Sequence, residues 1–400
     1  MREVQAGDGD DQEVVPVLGV QGVFLPELHG PLLPILPQAG ERSSGEGVSA
    51  SPGVQALLDA LADPAIGEVM LNEDGSAYVE RAGEGRLQAL PLRVDAAGAL
   101  EFLRAVAGAE VDGWLSQRPY ADLLAVDGAR VHALAPPLVR ALTVTIRKRP
   151  GQRPDLQQIV DAGTLSQGCA GLLRYAVAHR KNILLVGGTS SGKTTMLNAL
   201  GALIPAEERI LVLEDTPEIT LPQPHVNYVR TRLRDPQGKP DVTLRELVAN
   251  TLRMRPDRVL VGETRGPEAA DMLQAMNVGQ DGMMSTLHAS SCREALQRLE
   301  TLVMMAGHDL PLKVVRMSMA TALDLIVFQS RTADGRRRIM QVSEVTGMDA
   351  ETITMSDLFK VESRKAGGAV SFEMRPTGAM PRFYDALRQQ GVEPPLEFFR

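Results

Sequence analysis

Residues 182–203 read NILLVGGTSSGKTTMLNALGAL. The apolar run Asn182–Val186 predicts a buried strand, and Thr194–Leu203 predicts a helix. Between them, Gly187 to Thr194 fills every fixed position of G-x-x-x-x-G-K-[ST], in the strand–loop–helix context that motif requires. The glycines let backbone N–H groups turn inward on phosphate oxygens, and the helix N-terminus adds partial positive charge. The reading makes Gly187, Gly188, Thr189, Ser190, Ser191, Gly192, Lys193, Thr194 and Thr195 the nucleotide-binding residues. Lys193 is expected to reach the β- and γ-phosphates from a solvent-facing position, and the Thr194 hydroxyl to ligate magnesium.

Outward from this loop the pattern repeats. Ile210–Glu214, Val259–Gly262 and Met283–Leu287 are short apolar strands. Thr243–Met254, Pro267–Val278 and Ser291–Met305 carry helical spacing. Continuous apolar strands alternating with helices predict a parallel sheet covered on both faces. Asp334-Gly335, between Asp324–Ser330 and Arg336–Ser343, predicts a hairpin.

Strand ends beside such a loop face the ligand. Arg258–Glu263 ends in a carboxylate placed to orient the attacking water or to hold a water on the metal; the plainer reading is a surface acid at a strand end. A second strand ends in Glu214-Asp215, with Glu218 after Thr216-Pro217, a pairing that suits a general base beside a metal or water partner. Glu218 alone fits a capping role as well. His288 closes the strand Ser285–Leu287 and fits either a γ-phosphate sensor, a partner for Glu263, or a structural histidine.

Upstream, Ser51-Pro52 followed by Val54, Leu57, Leu58 and Leu61 opens a helix with an N-cap and a first-turn proline. Strands are expected at Glu68–Asn72, Ala77–Glu80, Leu87–Leu90 (stopped by Pro91), Ala125–Val126, Arg130–Ala133 and Leu142–Ile146, with a helix over 96–108 and a turn at Asp127-Gly128. The expected division is an acidic, disordered tail (1–50), an α+β module (51–147), a linker (148–156) and an α/β motor with a C-terminal extension (157–400). The tail holds two basic and eight acidic residues, most of the chain's net charge of −8, and its run Val14–Leu36 is read as a linker or a docking peptide.

The 400 residues carry 44% hydrophobic and 23% charged side chains, which excludes wholesale disorder. The acidic balance and the lack of interleaved aromatic and basic residues argue against a nucleic-acid partner. Two cysteines, Cys169 and Cys292, suit a reducing compartment and cannot form a zinc cage. No unbroken apolar run reaches the ~18 residues of a membrane span, the nearest candidate, Val14–Leu36, being broken by four prolines, Glu27 and His29, and the acidic N-terminus is not read as a signal peptide.

Four motifs in order, GGTSSGKTT, LVLEDTPEI, RPDRVLVGETRG and STLHA, resemble the secretion-ATPase superfamily of type II and type IV secretion and type IV pili. PQPH at Pro222–His225, LRMRPDR at Leu252–Arg258, DMLQAMNVG at Asp271–Gly279, SEVTGM at Ser343–Met348 and the closing Arg375–Gly378 and Pro381–Phe383 look like its CpaF-like Tad-pilus branch. The likeness runs from about residue 53 to 400. It implies a RecA-like P-loop motor preceded by a smaller α+β module, working as a cytosolic homohexamer with ATP and Mg²⁺. Partners would be inner-membrane platform proteins of a pilus or secretion machine, so contact with the membrane would be peripheral. By family roles Glu263, Glu214, His288 and Arg232 would be catalytic, and Thr194, Asp215 and Glu218 would lie at the metal. This chain has Tyr228 and Leu124 where arginines are usual, and Arg230 where an acid is usual; Asp122 and Asp127–Val131 keep the pattern. The leading expectation is pilus assembly or secretion. Type IV secretion, a nucleic-acid translocase and a scaffold without turnover are the alternatives.

Overall fold

The computed structural model describes residues 51–81, 86–108, 111–125, 128–148, 153–232, 240–307, 309–366 and 369–400. The 1–50 stretch, residues 149–152 of the expected linker and Asp127 of the expected turn lie outside the described residues.

Ser51 caps α1 (Pro52–Ala62) by accepting the Val54 N–H. There follow β1 (Ile66–Leu71), β2 (Ser76–Arg81), β3 (Leu87–Arg93), α2 (Ala96–Ala107), α3 (Val111–Gln117), β4 (Tyr120–Leu124), β5 (Arg130–Leu134) and β6 (Thr143–Arg147). They form a six-stranded sheet in the order β3-β2-β1-β6-β5-β4, with every pair antiparallel. Val54 and Leu57 of α1 and Phe102 and Leu103 of α2 share one core with Val69, Val131 and Ile146 of the sheet. Two expectations shift here. β3 runs through Pro91 because it is an edge strand, where a missing N–H costs no ladder bond. β4 precedes Ala125, with α3 before it.

The rest of the chain runs α4 (Leu156–Asp161), α5 (Gln167–Ala178), β7 (Ile183–Gly187), α6 (Lys193–Gly201), β8 (Ile210–Glu214), β9 (Val226–Arg230), α7 (Leu244–Thr251), β10 (Arg258–Val261), α8 (Glu268–Asn277), β11 (Met284–Leu287), α9 (Cys292–Met304), α10 (Leu312–Ala322), β12 (Leu325–Arg331), β13 (Arg337–Asp349), β14 (Thr352–Ala366), β15 (Ala369–Pro376) and α11 (Phe383–Gln389). The sheet order is β15-β14-β13-β12-β7-β11-β10-β8-β9. Strands from β12 to β9 are mutually parallel, and β13–β15 add an antiparallel meander at one edge. Alternate residues of the parallel strands feed two cores. Leu185 and Val212 pack with Leu172 and Leu200 on one face; Val186 and Val261 pack with Met272 and Leu299 on the other.

The end of the sheet away from the P-loop is held by a buried charge. Arg258, the first residue of β10, is fully buried; its Nε donates to Glu208 Oε2 at 2.6 Å and its Nη2 to the Val177 carbonyl at 2.7 Å. Gly282 sits at φ +74°, and a Cβ there would lie 2.5 Å from Arg258 Nη1, so only glycine fits beside the guanidinium. Removing one partner of a buried pair leaves the other charge uncompensated, at about 3–5 kcal/mol. Glu208→Gln should therefore lower the unfolding free energy by about that amount in a urea titration. Its nucleotide affinity should not change, since the pair lies at the opposite end of β10. Wild-type stability in this variant would show that other groups compensate Arg258.

Candidate nucleotide site

In a parallel sheet all carboxyl ends gather on one side, and the strand order decides which loops become neighbours. β7 carries the P-loop. β11 beside it carries His288, and β10 carries Glu263. β8, one strand further out, ends in Glu214.

The P-loop turns on two left-handed residues, Ser190 (φ +58°) and Gly192 (φ +102°). Gly192 is required twice over: by its φ, and because a Cβ there would stand 2.8 Å from Gln329 Nε2 and 3.1 Å from Arg337 Cδ. Gln329 of β12 and Arg337 of β13 thus wall the loop from the meander side. Arg337 Nε also donates to the Ser190 carbonyl at 3.0 Å. Lys193 departs from expectation. It is 7% exposed, and its ammonium donates to the carbonyls of Gly187 and Gly188, both at 2.9 Å, instead of facing solvent. Burial lowers its pKa, and the negative charges of Glu263 and Glu218 oppose that. Thr194 and Thr195 are half-buried in the first turn of α6, while Gly188, Thr189 and Ser190 are exposed at the loop tip. Ser191 Oγ is buried without a hydrogen-bond partner.

Glu214 is buried and shapes the acidic loop. Its Oε1 accepts the backbone N–H groups of Glu218 and Ile219, each at 2.8 Å, and so folds residues 215–219 back over the strand end. Asn198 on α6 completes the fold-back, accepting the Thr220 N–H at 2.8 Å and donating to the Glu218 carbonyl at 3.4 Å. Asp215 is left exposed and Glu218 half-buried.

Glu263 stands at the centre. Its Oε2 accepts Arg265 Nη2 at 2.5 Å. His288 Nε2 is 2.8 Å from its Oε1, but out of line, so that buried oxygen has no aligned donor. Burial pushes the His288 pKa down, and the Lys193 charge pushes the same way, against the pull of Glu263; its neutral form is favoured. The Arg265 pKa is raised by the hydrogen bond to Glu263, with Asp215 and Glu218 adding attraction.

Arg232 is not brought to this group. It follows β9, four places from β7 in the sheet, about 19 Å at ~4.8 Å per strand. Its guanidinium donates to the Pro240 carbonyl at 3.1 and 3.2 Å. Tyr228 braces the acidic loop, its hydroxyl accepting the Leu221 N–H at 2.9 Å. Arg130 lies 3.7 Å from Asp122 on the outer face of the six-stranded sheet.

The residues fit a magnesium nucleotide. An added Cβ at Gly188 would meet nothing within 4 Å, so the loop's outer side is open. Ser191 Oγ has no hydrogen-bond partner and Glu263 Oε1 no aligned donor. Among the described residues no three acidic, histidine or cysteine side chains form a metal cage. Mg²⁺ needs none, since it binds through few protein groups plus phosphates and water. Sequence reasoning passed over Arg265, Asn198, Gln329 and Arg337. Arg265 was visible two residues after Glu263; the others become neighbours only through strand order.

Similarity to known proteins agrees with this geometry. The family described as "Type II/IV secretion system protein" matches residues 126–345. The chain is 34% identical over 295 residues to the conjugal transfer protein TrbB of Rhizobium radiobacter, covering 73% of this chain and 87% of that protein. It is 30% identical over 316 residues to the type IV secretion system protein VirB11 of Brucella suis, covering 71% and 86%. The structure of the Legionella pneumophila ATPase DotB shares the fold, with a TM-score of 0.54 at 20% identity over 77% of this chain and 84% of that one. The α/β fold, the P-loop with its acidic partners and these likenesses have one reading: the chain belongs to the type II/IV secretion system family of P-loop ATPases.

Proposed function

We propose that this chain is the ATPase of a conjugal transfer or type IV secretion machine. It would work as a homohexamer on the cytosolic side of the inner membrane and hand the work of hydrolysis to membrane-embedded partners. The observation that carries this reading is the likeness to TrbB across 87% of that protein's length. It moves type IV secretion, the alternative on sequence grounds, ahead of pilus assembly. The Tad-pilus reading rests on motif likeness alone and comes second. No helix among the described residues is long and apolar enough to cross a membrane, which suits a protein recruited by partners.

The chemistry assigned to the chain follows its geometry. Lys193 transfers its donors from its own loop carbonyls to the β- and γ-phosphates. Thr194, Asp215 and Glu218 are the groups offered to Mg²⁺, directly or through water. Bound there, the metal would supply charge neutralisation on the phosphates. Glu263 Oε1 takes the proton of the attacking water, and His288 lines the same oxygen. Glu214 acts through loop shape, and Arg232 is a group for a neighbouring subunit's nucleotide.

Lys193→Ala should abolish ATP binding or turnover. It should also cost some stability, because the buried Gly187 carbonyl and the part-buried Gly188 carbonyl lose a charged donor, a buried bond of that kind being worth roughly 1.5–3 kcal/mol. Calorimetric ATP titration and thermal melting check both, and wild-type turnover would refute the site. Glu263→Gln should bind ATP yet turn over at least about a hundredfold more slowly. Glu214→Gln should be slowed less, because the amide oxygen still accepts both backbone N–H groups. Steady-state phosphate release measures the difference, and equal slowing would return Glu214 to a direct chemical role. Native mass measurement with ATP should give six copies; monomer alone at high concentration would contradict the ring. In the host, deletion should abolish conjugal or effector transfer and leave surface pili intact. Loss of pili with normal transfer would reverse the order of the two readings.

A further inference from the structure

The segment leaving β10 is cross-braced residue by residue. Thr264 is buried; its N–H donates to the Thr286 carbonyl at 2.9 Å, and its Oγ1 lies 2.8 Å from Ser285 Oγ. Thr286 Oγ1 donates to the Gly262 carbonyl at 2.7 Å. Past Arg265 the backbone is stapled again: the N–H groups of Arg265 and Gly266 both donate to Oε1 of Glu268, at 2.6 and 2.8 Å, and Glu268 is only 6% exposed. With Thr264 turned inward, alternation along the extended segment sets Glu263 and Arg265 on the same, opposite side. Their side chains meet at 2.5 Å. The bond occupies Oε2 alone. The other oxygen, Oε1, is buried; His288 Nε2 stands 2.8 Å from it but out of line, so no donor is aligned on it.

A carboxylate with both oxygens free to rotate presents either one, and spends part of its time misaligned. A carboxylate clamped through one oxygen presents the other in a fixed direction, and positioning of this kind is worth orders of magnitude in rate. We infer that Arg265 is a positioning residue for hydrolysis. Its backbone is fixed by the Glu268 staple, and its guanidinium clamps Glu263 Oε2 so that Oε1 is the oxygen aimed at the attacking water. The inference rests on the reading of Glu263 as the base. It adds that the base is set by a chain running Glu268, Arg265, Glu263, and that Arg265 contributes through Glu263 and not through ATP.

The test is a double-mutant cycle in the purified full-length protein, with phosphate release and ATP affinity as readouts. Arg265→Ala should lower kcat at least tenfold while KM for ATP and the binding constant stay within threefold. Arg265→Lys, which keeps one donor to Oε2, should recover most of the rate. In a Glu263→Gln background, Arg265→Ala should change the residual rate by less than twofold. The Arg265 side chain is largely solvent-exposed, 59% by area, so the variants are expected to fold. A tenfold further loss in the Glu263→Gln background, or a rise in KM that accounts for the defect, would overturn the inference, since Arg265 would then act on nucleotide directly. So would unchanged kcat in Arg265→Ala. Near-normal turnover in Glu263→Gln alone would instead overturn the reading of Glu263 as the base.

Discussion

A buried ammonium is the constraint around which the motor half of this protein is built. Lys193 is nearly out of solvent, and an isolated charge there would be costly. Two P-loop carbonyls accept hydrogen bonds from it, and Glu263 and Glu218 supply opposing charge. That arrangement needs the carboxyl ends of β7 and β10 on one side of the sheet with only β11 between them, which the parallel order provides. It also needs the acidic loop folded back toward α6, which Glu214 and Asn198 provide. The compensation holds the lysine on its own loop, and a phosphate, whose oxygens are better acceptors than carbonyls, would compete for it.

The two ends of the sheet serve different purposes. At the far end Arg258 and Glu208 are locked against Val177 with no open space, as Gly282 demonstrates. At the near end the polar atoms are open to a ligand: Ser191 Oγ and Gln329 Oε1 have no hydrogen-bond partner, and Glu263 Oε1 has only His288 Nε2 beside it, out of line. Unpaired buried groups cost stability, and Ser191 Oγ and Gln329 Oε1 carry that cost beside the P-loop. The meander β13–β15 belongs to the same arrangement. Through Gln329 and Arg337 the β12–β13 hairpin props the loop tip, so the C-terminal strands reach the site without contributing a motif.

How much could be read beforehand depended on the distance over which each residue acts. The P-loop, its flanking strand and helix, and the strands ending at Glu214 and Glu263 were all legible, because apolar runs and glycine turns are local signals. The proximity of His288 to Glu263 followed from strand order, which the alternation of strands and helices suggested. What escaped was nonlocal. β9 is an edge strand with no residue fully buried, and β3 passes through a proline only because it is an edge. Lys193 was expected in solvent, because nothing in the sequence reveals that loop carbonyls fold onto it. Arg232, expected at a nucleotide from the family pattern, follows an edge strand about 19 Å from β7, so any nucleotide it reaches is not the one on its own P-loop. Gln329 and Arg337 reach the P-loop across more than 130 residues of chain, a pairing that only the assembled sheet creates.

The central claim is that Lys193 exchanges its loop carbonyls for ATP phosphates while Glu263 Oε1 faces the position of the attacking water. A crystal structure with magnesium and a non-hydrolysable ATP analogue tests it most directly. The account predicts Lys193 Nζ within hydrogen-bond distance of the β- and γ-phosphates, its hydrogen bonds to the Gly187 and Gly188 carbonyls broken, and a water between Glu263 Oε1 and the terminal phosphorus. A nucleotide bound away from residues 187–195, or a lysine still seated on the two loop carbonyls with the phosphates in place, would contradict it.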